Sequence, residues 1–458
     1  MAESSTSAAA SGQAQAAAKP TKAPNPVWRM MGLPNFRPKL PSRNWMIFLT
    51  VTGSFTAALM YDRKEKKRAQ KKWCDLVAHL SKESLPVEQT RRKLTVFLAA
   101  PPGDGLRVAR EHFKEYIKPI LVAAALDYQV IEGRREGDVR AGLAERIRKL
   151  RRQSGEPSTV VEETGLEDIV LDARQKIGVV DEPGPKGDLV IGRHTWKEYV
   201  RGLHEGWLGP LDPPQPPPAP PSEVAETLPE TLPEGSPEDA EKKDEPEKKE
   251  EEKPKPKGPA PAYIAPADYS SQSLPRTLPD SLDGSAPIHF PHILGFLNTP
   301  IRLYRYLNQR SLADSVGREV AGVVLASTTR PYTDSSFSAE SDSEPNFGTH
   351  EQQTLLEEEE QEWHKSVHRK DEANPDKERE WVDTVVVDPR IASRMHRYVL
   401  SPDDEARSQR IAQGTEYILG EERPAPVSFW QHLWIKYGYG EDEETLKRKP
   451  IVEKFEEN

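Results

Sequence analysis

The chain has 458 residues, 35% of them hydrophobic and 30% charged, with 43 prolines, so its length allows on the order of two or three domains but its composition excludes packing throughout. A formal net charge of −10 excludes the basic field that general nucleic-acid binding needs, so no nucleic-acid partner is expected. A single cysteine, Cys74, excludes an intramolecular disulfide and a thiolate metal cluster.

Residues 1–43 form an Ala- and Ser-rich arm in which Lys19, Lys22, Arg29, Arg37, Lys39 and Arg43 accumulate, and no acidic residue occurs from Ser4 to Tyr61. This is the composition of a mitochondrial targeting region; a disordered tail of small residues is the alternative. Residues 44–61 carry no charge and as a helix span roughly 27 Å, the thickness of a bilayer's hydrocarbon layer. Trp45 and Tyr61 stand at the two ends, where amphipathic rings prefer to sit, with Arg43 and the pair Arg63-Lys64 just outside. The stretch is expected to be a single transmembrane helix, the alternative being a buried helix of a soluble core. Gly53 and Ala57, four apart, offer a small-residue face to a partner helix. Both flanks are basic, so charge alone leaves the orientation open.

Arg63, Lys64, Lys66, Lys67 and Arg68 begin a basic collar, followed by Trp73, Leu76, Val77 and Leu80 at helical spacing. Residues 62–80 therefore read as a juxtamembrane helix, either facing anionic lipid headgroups or solvated.

Residues 92–210 alternate strand and helix patterns. Leu94-Thr-Val-Phe-Leu-Ala-Ala100 reads as a buried strand, 101–105 as a turn, and Leu106, Ala109, Phe113, Tyr116, Ile117 and Ile120 as a helix stripe that Pro119 should kink or end. A strand at 128–131 precedes a helix marked by Val139, Leu143, Ile147 and Leu150. A strand at 188–191 leads into a helix marked by Trp196, Tyr199, Val200, Leu203 and Trp207, which stops at Gly209-Pro210. The pattern predicts an α/β domain with a mostly parallel sheet of βαβ type.

Residues 211–285 read as a disordered Pro/Glu/Lys linker that opens with the proline run 213–221. Residues 286–458 are expected to be an α+β region. Asn298 and Pro300 mark the start of a helix carrying Ile301, Tyr304, Leu307 and Leu312. Residues 320–325 and 381–387 read as strands able to join the first sheet, 328–349 as a disordered loop, and 391–399 as a short helix. An acidic helix is expected around Trp363, and Phe429, Trp430, Leu433, Trp434 and Tyr437 form an aromatic stripe.

Catalytic signatures are missing. Pro101-Pro-Gly-Asp-Gly105 sits where a doubly wound fold binds phosphate, but it lacks the lysine-hydroxyl pair of a Walker loop and the three glycines of the dinucleotide fingerprint; a tight turn explains it. His289 with His292, and His364 with His368, have spacings a metal could use, without an evident third ligand. Trp196 and Trp207 read as core rather than a ligand platform. Arg140, Arg146, Arg148, Lys149, Arg151 and Arg152 read as a solvated face, with an anionic lipid surface as the alternative. No catalytic, cofactor-binding or metal residue is assigned.

Several motifs together resemble a known family. Asn-Pro-Val-Trp-Arg (25–29) and Leu-Pro-Ser-Arg-Asn-Trp (40–45) precede the uncharged stretch; Gly192-Arg-His-Thr-Trp-Lys-Glu-Tyr-Val-Arg-Gly-Leu-His-Glu-Gly-Trp-Leu-Gly-Pro210, His292-Ile-Leu-Gly-Phe-Leu-Asn-Thr-Pro-Ile-Arg-Leu-Tyr-Arg305 and Asp388-Pro-Arg-Ile-Ala-Ser-Arg-Met395 follow. They resemble the fungal fifty-four-kilodalton inner-membrane translocase subunits over most of the chain apart from the arm, the linker and the Ser-rich loop. The resemblance implies a non-catalytic scaffold in the mitochondrial translocase that inserts polytopic carrier proteins, without cofactors. It implies as partners the channel and other translocase subunits, small intermembrane-space chaperones and inner-membrane lipids. It also implies a single pass, with the N-terminus in the matrix and the bulk in the intermembrane space. Two other readings compete: a membrane-tethered α/β enzyme acting on a lipid or nucleotide, and a proline-rich adaptor using residues 213–221.

Overall fold

The uncharged stretch and the basic stretch behind it form one continuous helix, α1 (Arg43–Val77): no proline interrupts it, and Gly53 is its one strongly helix-weakening residue. The computed structural model describes residues 41–86, 88–160, 165–182, 186–213, 261–333, 350–369, 378–416, 428–430 and 433–434. The chain divides into two units, Met1–Leu59 and Met60–Asn458.

In the first unit the described residues are 41–59. Trp45 meets Phe48 edge to face at 5.8 Å, and most side chains of this half of α1 are exposed, Gly53 and Ala57 among them. The hydroxyls of Thr50, Thr52, Ser54 and Thr56 donate to backbone carbonyls three or four residues back. No helix among the described residues is long and apolar enough by hydropathy to cross a membrane.

The second unit continues α1 and adds β1 (Gln89–Thr90), β2 (Leu94–Ala99), α2 (Leu106–His112), α3 (Lys118–Ala123), β3 (Tyr128–Gly133), α4 (Asp138–Gln153), α5 (Leu166–Ile177), β4 (Val180–Asp181), β5 (Gly187–Ile191) and α6 (Arg193–Leu208). After residues 261–283 come β6 (Gly284–Ile288), α7 (Thr299–Tyr306), α8 (Gln309–Leu325), β7 (Thr328–Pro331), α9 (Glu351–Thr354), α10 (Glu358–Gln361), α11 (Pro389–Ala392), β8 (His396–Val399) and α12 (Pro402–Gln413). A six-stranded sheet runs β3-β2-β5-β6-β8-β7, parallel except for the edge strand β7, which is antiparallel to β8. β1 and β4 form a separate parallel pair.

Helices on both faces explain why β2 is an unbroken apolar run apart from Thr95, with every residue buried. Alternation along β2 sends Leu94, Val96 and Leu98 to a core shared with Trp73, Leu76, Ile120, Val316 and Val320. Phe97 and Ala99 go to a second core, with Val139, Leu143, Trp196 and Tyr199. At Pro119 the helix neither ends nor breaks: a π turn over Phe113–Ile117 bridges α2 to α3, with the Lys118 N–H bonded to the Phe113 carbonyl. Widening the turn there accommodates a ring that would otherwise crowd the preceding carbonyls.

The second half of the chain departs from the expected layout. It joins the first sheet, as the sequence allowed, but through β6, β8 and β7 rather than through residues 320–325 and 381–387. Within the stretch expected to be a linker, residues 261–285 pack: Ile264, Tyr269 and Leu282 are core residues. Residues 320–325 belong to α8; an apolar run this short has no periodicity to separate a buried helix turn from a strand. Residues 381–387 form no strand, their carbonyls at Trp381 and Asp383 being taken by Lys197 Nζ. Residues 391–399 hold the end of α11 and then β8, and β7 occupies the start of the stretch expected to be a loop. Residues 1–40, most of the proline run and Tyr437 lie outside the described residues.

Candidate functional site

The connections reverse direction between β2 and β5, and the crevice beyond the carboxyl ends of such strands is where open α/β sheets bind ligands. In this chain rings and loops fill it. The Asp104 N–H donates to the Pro101 carbonyl at 3.0 Å and Gly103 has φ +86°, as a turn with Pro102 second and Gly103 third requires. The Asp104 carboxylate accepts from the Gly105 N–H at 2.7 Å and lies 3.5 Å from His292 Nε2. A Cβ placed on Gly103 would sit 3.1 Å from Leu294, so the loop after β6 closes directly over the turn. Beneath it Phe290 stacks on His292 at 5.8 Å and meets His112 edge to face at 5.0 Å, while His194 Nε2 lies 3.1 Å from the Ala99 carbonyl. Burial pushes His112 down to about 3 and His194 down to about 4, so both rings are neutral.

His289 and His292 do not converge on one point. His289 is 2.7 Å from the buried Glu359 carboxylate, which also accepts the Arg193 and Phe290 N–H groups, whereas His292 faces Asp104. His364 and His368 are exposed, and the described residues contain no group of three or more His, Cys, Asp or Glu able to hold a metal.

The arginines of α4 form neither a solvated nor a lipid-facing stripe. Arg140, Arg148 and Arg151 are buried: Arg140 and Arg148 each lie 2.5 Å from Glu205, Arg140 also reaches Glu380 at 2.6 Å, and Arg151 bonds the Gly206 and Gly209 carbonyls. The helices approach closely because α6 carries Gly202 and Gly206 at the contact, where a Cβ would come within 2.8 Å of the Arg140 carbonyl and 2.7 Å of Ile147. With α4 that near, the guanidinium groups point straight into α6. Glu198 joins the cluster, accepting the Val139 N–H at 2.9 Å and Trp381 Nε1 at 2.6 Å; burial and the Glu380 charge push its carboxyl up to about 8. Trp196 and Trp207 are core as expected, Trp196 stacking on Tyr199 at 5.5 Å and donating to the Gln352 carbonyl. Leu150, expected in the apolar stripe of α4, is exposed instead.

The collar divides in two. Arg63, Lys64, Lys67 and Arg68 are exposed, with Arg68 paired to Glu65 at 2.6 Å. Lys66 is not lipid-facing: it is buried, 2.5 Å from Glu115 and 2.9 Å from Gln309 Oε1, because α8 and the π turn cover that side of α1. Asp62, buried beside it, accepts the backbone N–H groups of Gln309 and Arg310 at 3.2 Å each, and Arg310 lies over the Tyr61 ring. Farther along, Trp73 Nε1 donates to Asp314 at 2.9 Å, and a Cβ on Gly317 would be only 2.2 Å from the Trp73 ring. Asp62, Glu205 and Glu198 escaped the linear reading. The available signal was an acid placed directly after the uncharged stretch, and two glycines four apart beside glutamates on a helix that also carries an apolar stripe.

Comparison with known proteins follows these elements almost end to end. Residues 25–398 match the family described as inner membrane protein import complex subunit Tim54. The chain is 78% identical over 436 residues to the mitochondrial import inner membrane translocase subunit tim54 of Aspergillus oryzae, covering 92% of this chain and 98% of that protein. It is 71% identical over 430 residues to the subunit of the same name from Aspergillus fumigatus, covering 89% and 98%. For the Neurospora crassa subunit the identity is 52% over 412 residues, covering 86% and 85%.

Proposed function

We propose, from the premise that this chain belongs to the Tim54 family of inner-membrane import complex subunits, that it is a non-catalytic scaffold subunit of the mitochondrial inner-membrane translocase. The observation that carries the reading is the match over residues 25–398, which takes in the uncharged stretch and the six-stranded sheet up to Tyr398. The ring-filled crevice between β2 and β5 supports a scaffold over a ligand-binding enzyme, since the place where this fold would bind a nucleotide is occupied by its own side chains.

Residues 44–61 serve as the membrane anchor. Their hydropathy falls below that of an ordinary spanning helix, lowered by Asn44 at one end and by Thr50, Thr52, Ser54 and Thr56 within. Each of those hydroxyls, however, is bonded to a carbonyl of its own helix, which lowers the cost of placing it in hydrocarbon. Trp45 and Tyr61 hold the two interfaces, Gly53 and Ala57 present a face for a partner helix, and Arg63, Lys64, Lys67 and Arg68 meet the headgroups. The N-terminal arm lies in the matrix and the second unit in the intermembrane space, where it holds channel subunits and small chaperones together while polytopic carriers insert.

The test is purification of the tagged full chain from mitochondria in mild detergent, with carbonate extraction beside it. Translocase subunits should co-purify and the protein should stay with the membrane pellet. Recovery without any translocase subunit would overturn the scaffold reading, and release by carbonate would overturn the anchor. In the same cells Asp104→Asn should leave carrier import intact at normal protein level; loss of import would mark the turn at 101–105 as a chemical site.

A further inference from the structure

Apolar side chains crowd onto one short exposed segment. Phe296 and Leu297 are each 90% exposed, and Ile301, Leu303, Tyr304 and Tyr306 stand out from α7, none of whose residues is buried. Single exposed apolar residues are ordinary, but a run of them marks a contact surface.

The position of this segment follows from how α8 is held. Asp62 receives the N–H groups of Gln309 and Arg310 at the start of α8, and Lys66 reaches Gln309. Farther along both helices, Trp73 meets Asp314 and Gly317. The contacts advance together, so α8 runs parallel to the second half of α1 with its N-terminus at the Asp62 end. Residues 296–308 lead into that N-terminus, and eight helical residues at about 1.5 Å each plus a two-residue link at up to about 3.8 Å per step keep all of α7 within roughly 25 Å of Asp62. Asp62 is also the first residue after the uncharged stretch.

We infer that residues 296–306 are a second membrane contact, an interfacial segment lying at the headgroup–acyl boundary of the leaflet where α1 leaves the bilayer, with Phe296, Leu297, Ile301 and Tyr304 as its apolar side. The inference rests on the reading of residues 44–61 as an anchor, which puts the hydrocarbon edge at Tyr61. Interfacial helices bury their apolar face about 5–10 Å into this boundary, and tyrosines and arginines favour the same depth. Charge agrees: Arg302 on α7 and Arg63, Lys64 and Lys67 on α1 are exposed at this end of the molecule, suiting anionic lipid. Two points of contact would also fix the second unit's tilt against the membrane, which one helix alone leaves free.

The test uses the full chain in a Cys74→Ala background, reconstituted in phosphatidylcholine–cardiolipin vesicles, with an environment-sensitive fluorophore on a single introduced cysteine. Phe296→Cys and Tyr304→Cys report on the segment and Val51→Cys on the anchor. Leu150→Cys, exposed on the helix layer across the sheet from α1 and α8, is the control. Emission at 296 and 304 should shift to the blue and be quenched by lipids spin-labelled near the headgroup. Position 51 should be quenched by lipids labelled deep in the chain, and position 150 by neither. Quenching at 51 with water-like emission at 296 and 304 would overturn this inference and leave the anchor standing, whereas water-like emission at 51 as well would overturn both. Shielding of 296 and 304 only after soluble intermembrane-space proteins are added would assign the patch to a protein partner and equally overturn the lipid contact.

Discussion

Helices α6 and α7 invert the usual relation between polarity and burial. All of α6 is buried, including Arg193, Lys197, Glu198, Arg201 and Glu205, while α7, with Ile301, Leu303, Tyr304 and Tyr306, buries nothing. The difference lies in the partners each helix finds. Every charge on α6 meets an opposite charge or a backbone group supplied by α4, by residues 263–269 or by residues 353–383; Arg193, for example, bonds Glu360 and the carbonyls of Gln353 and Leu355. Among the described residues, the apolar side chains of α7 stay between 44% and 67% exposed. Burial on α6 is decided by satisfaction of polar groups, and the exposure on α7 is the surface from which the membrane contact is inferred.

The largest effect that would break this comparison should come from α6. Glu205→Ala strands Arg140 and Arg148 in the interior and should lower stability by about 3–5 kcal/mol, measured as the unfolding midpoint of the full chain in mild detergent. A loss below 1 kcal/mol, the size of an exposed pair, would show the cluster to be solvated. Gly317→Ala presses a methyl group into the Trp73 ring and should cost about 1–3 kcal/mol. An unchanged midpoint would mean that α1 and α8 are not locked together as described.

A smaller effect at any single pH should come from Glu198. Its carboxyl is pushed up to about 8 in the fold, so the folded state holds a proton that the unfolded chain has already released, and stability should fall as pH rises from 6.5 to 8. Glu380, pushed up to about 7 by burial, contributes in the same direction. The buried His112, His194 and His204, all pushed down, act the other way but only below about pH 6.5, so they do not mask this window. Glu198→Gln should flatten the decline; an unchanged slope would place the proton elsewhere. The smallest effect should come from α7, where Ile301→Ser and Tyr304→Ser should each change the detergent midpoint by less than about 0.5 kcal/mol. A large loss would show that α7 packs inside the chain after all.

Residues 92–210 were legible because parallel strands buried on both faces leave unbroken apolar runs and their helices leave periodic stripes. Both survive in a single sequence at Leu94–Ala99 and at Trp196, Tyr199 and Leu203. The uncharged 44–61 stretch, the tight turn at 101–105 and the family motifs were likewise local. The later strands were not, since β6 (Gly-Ser-Ala-Pro-Ile) lacks an apolar run and gains its burial from neighbours far along the chain: it lies between β5 and β8, a register no local pattern encodes. Charge was the least legible property. A row of arginines reads as solvated until Gly202 and Gly206 let α4 come close enough to α6 for Glu205 to take Arg140 and Arg148, and Lys66 reads as collar until α8 brings Gln309 beside it. The sequence by itself determined where the chain is apolar and how often. Only the tertiary structure decided which charges are inside, because an ion's burial depends on a partner that sequence distance does not predict.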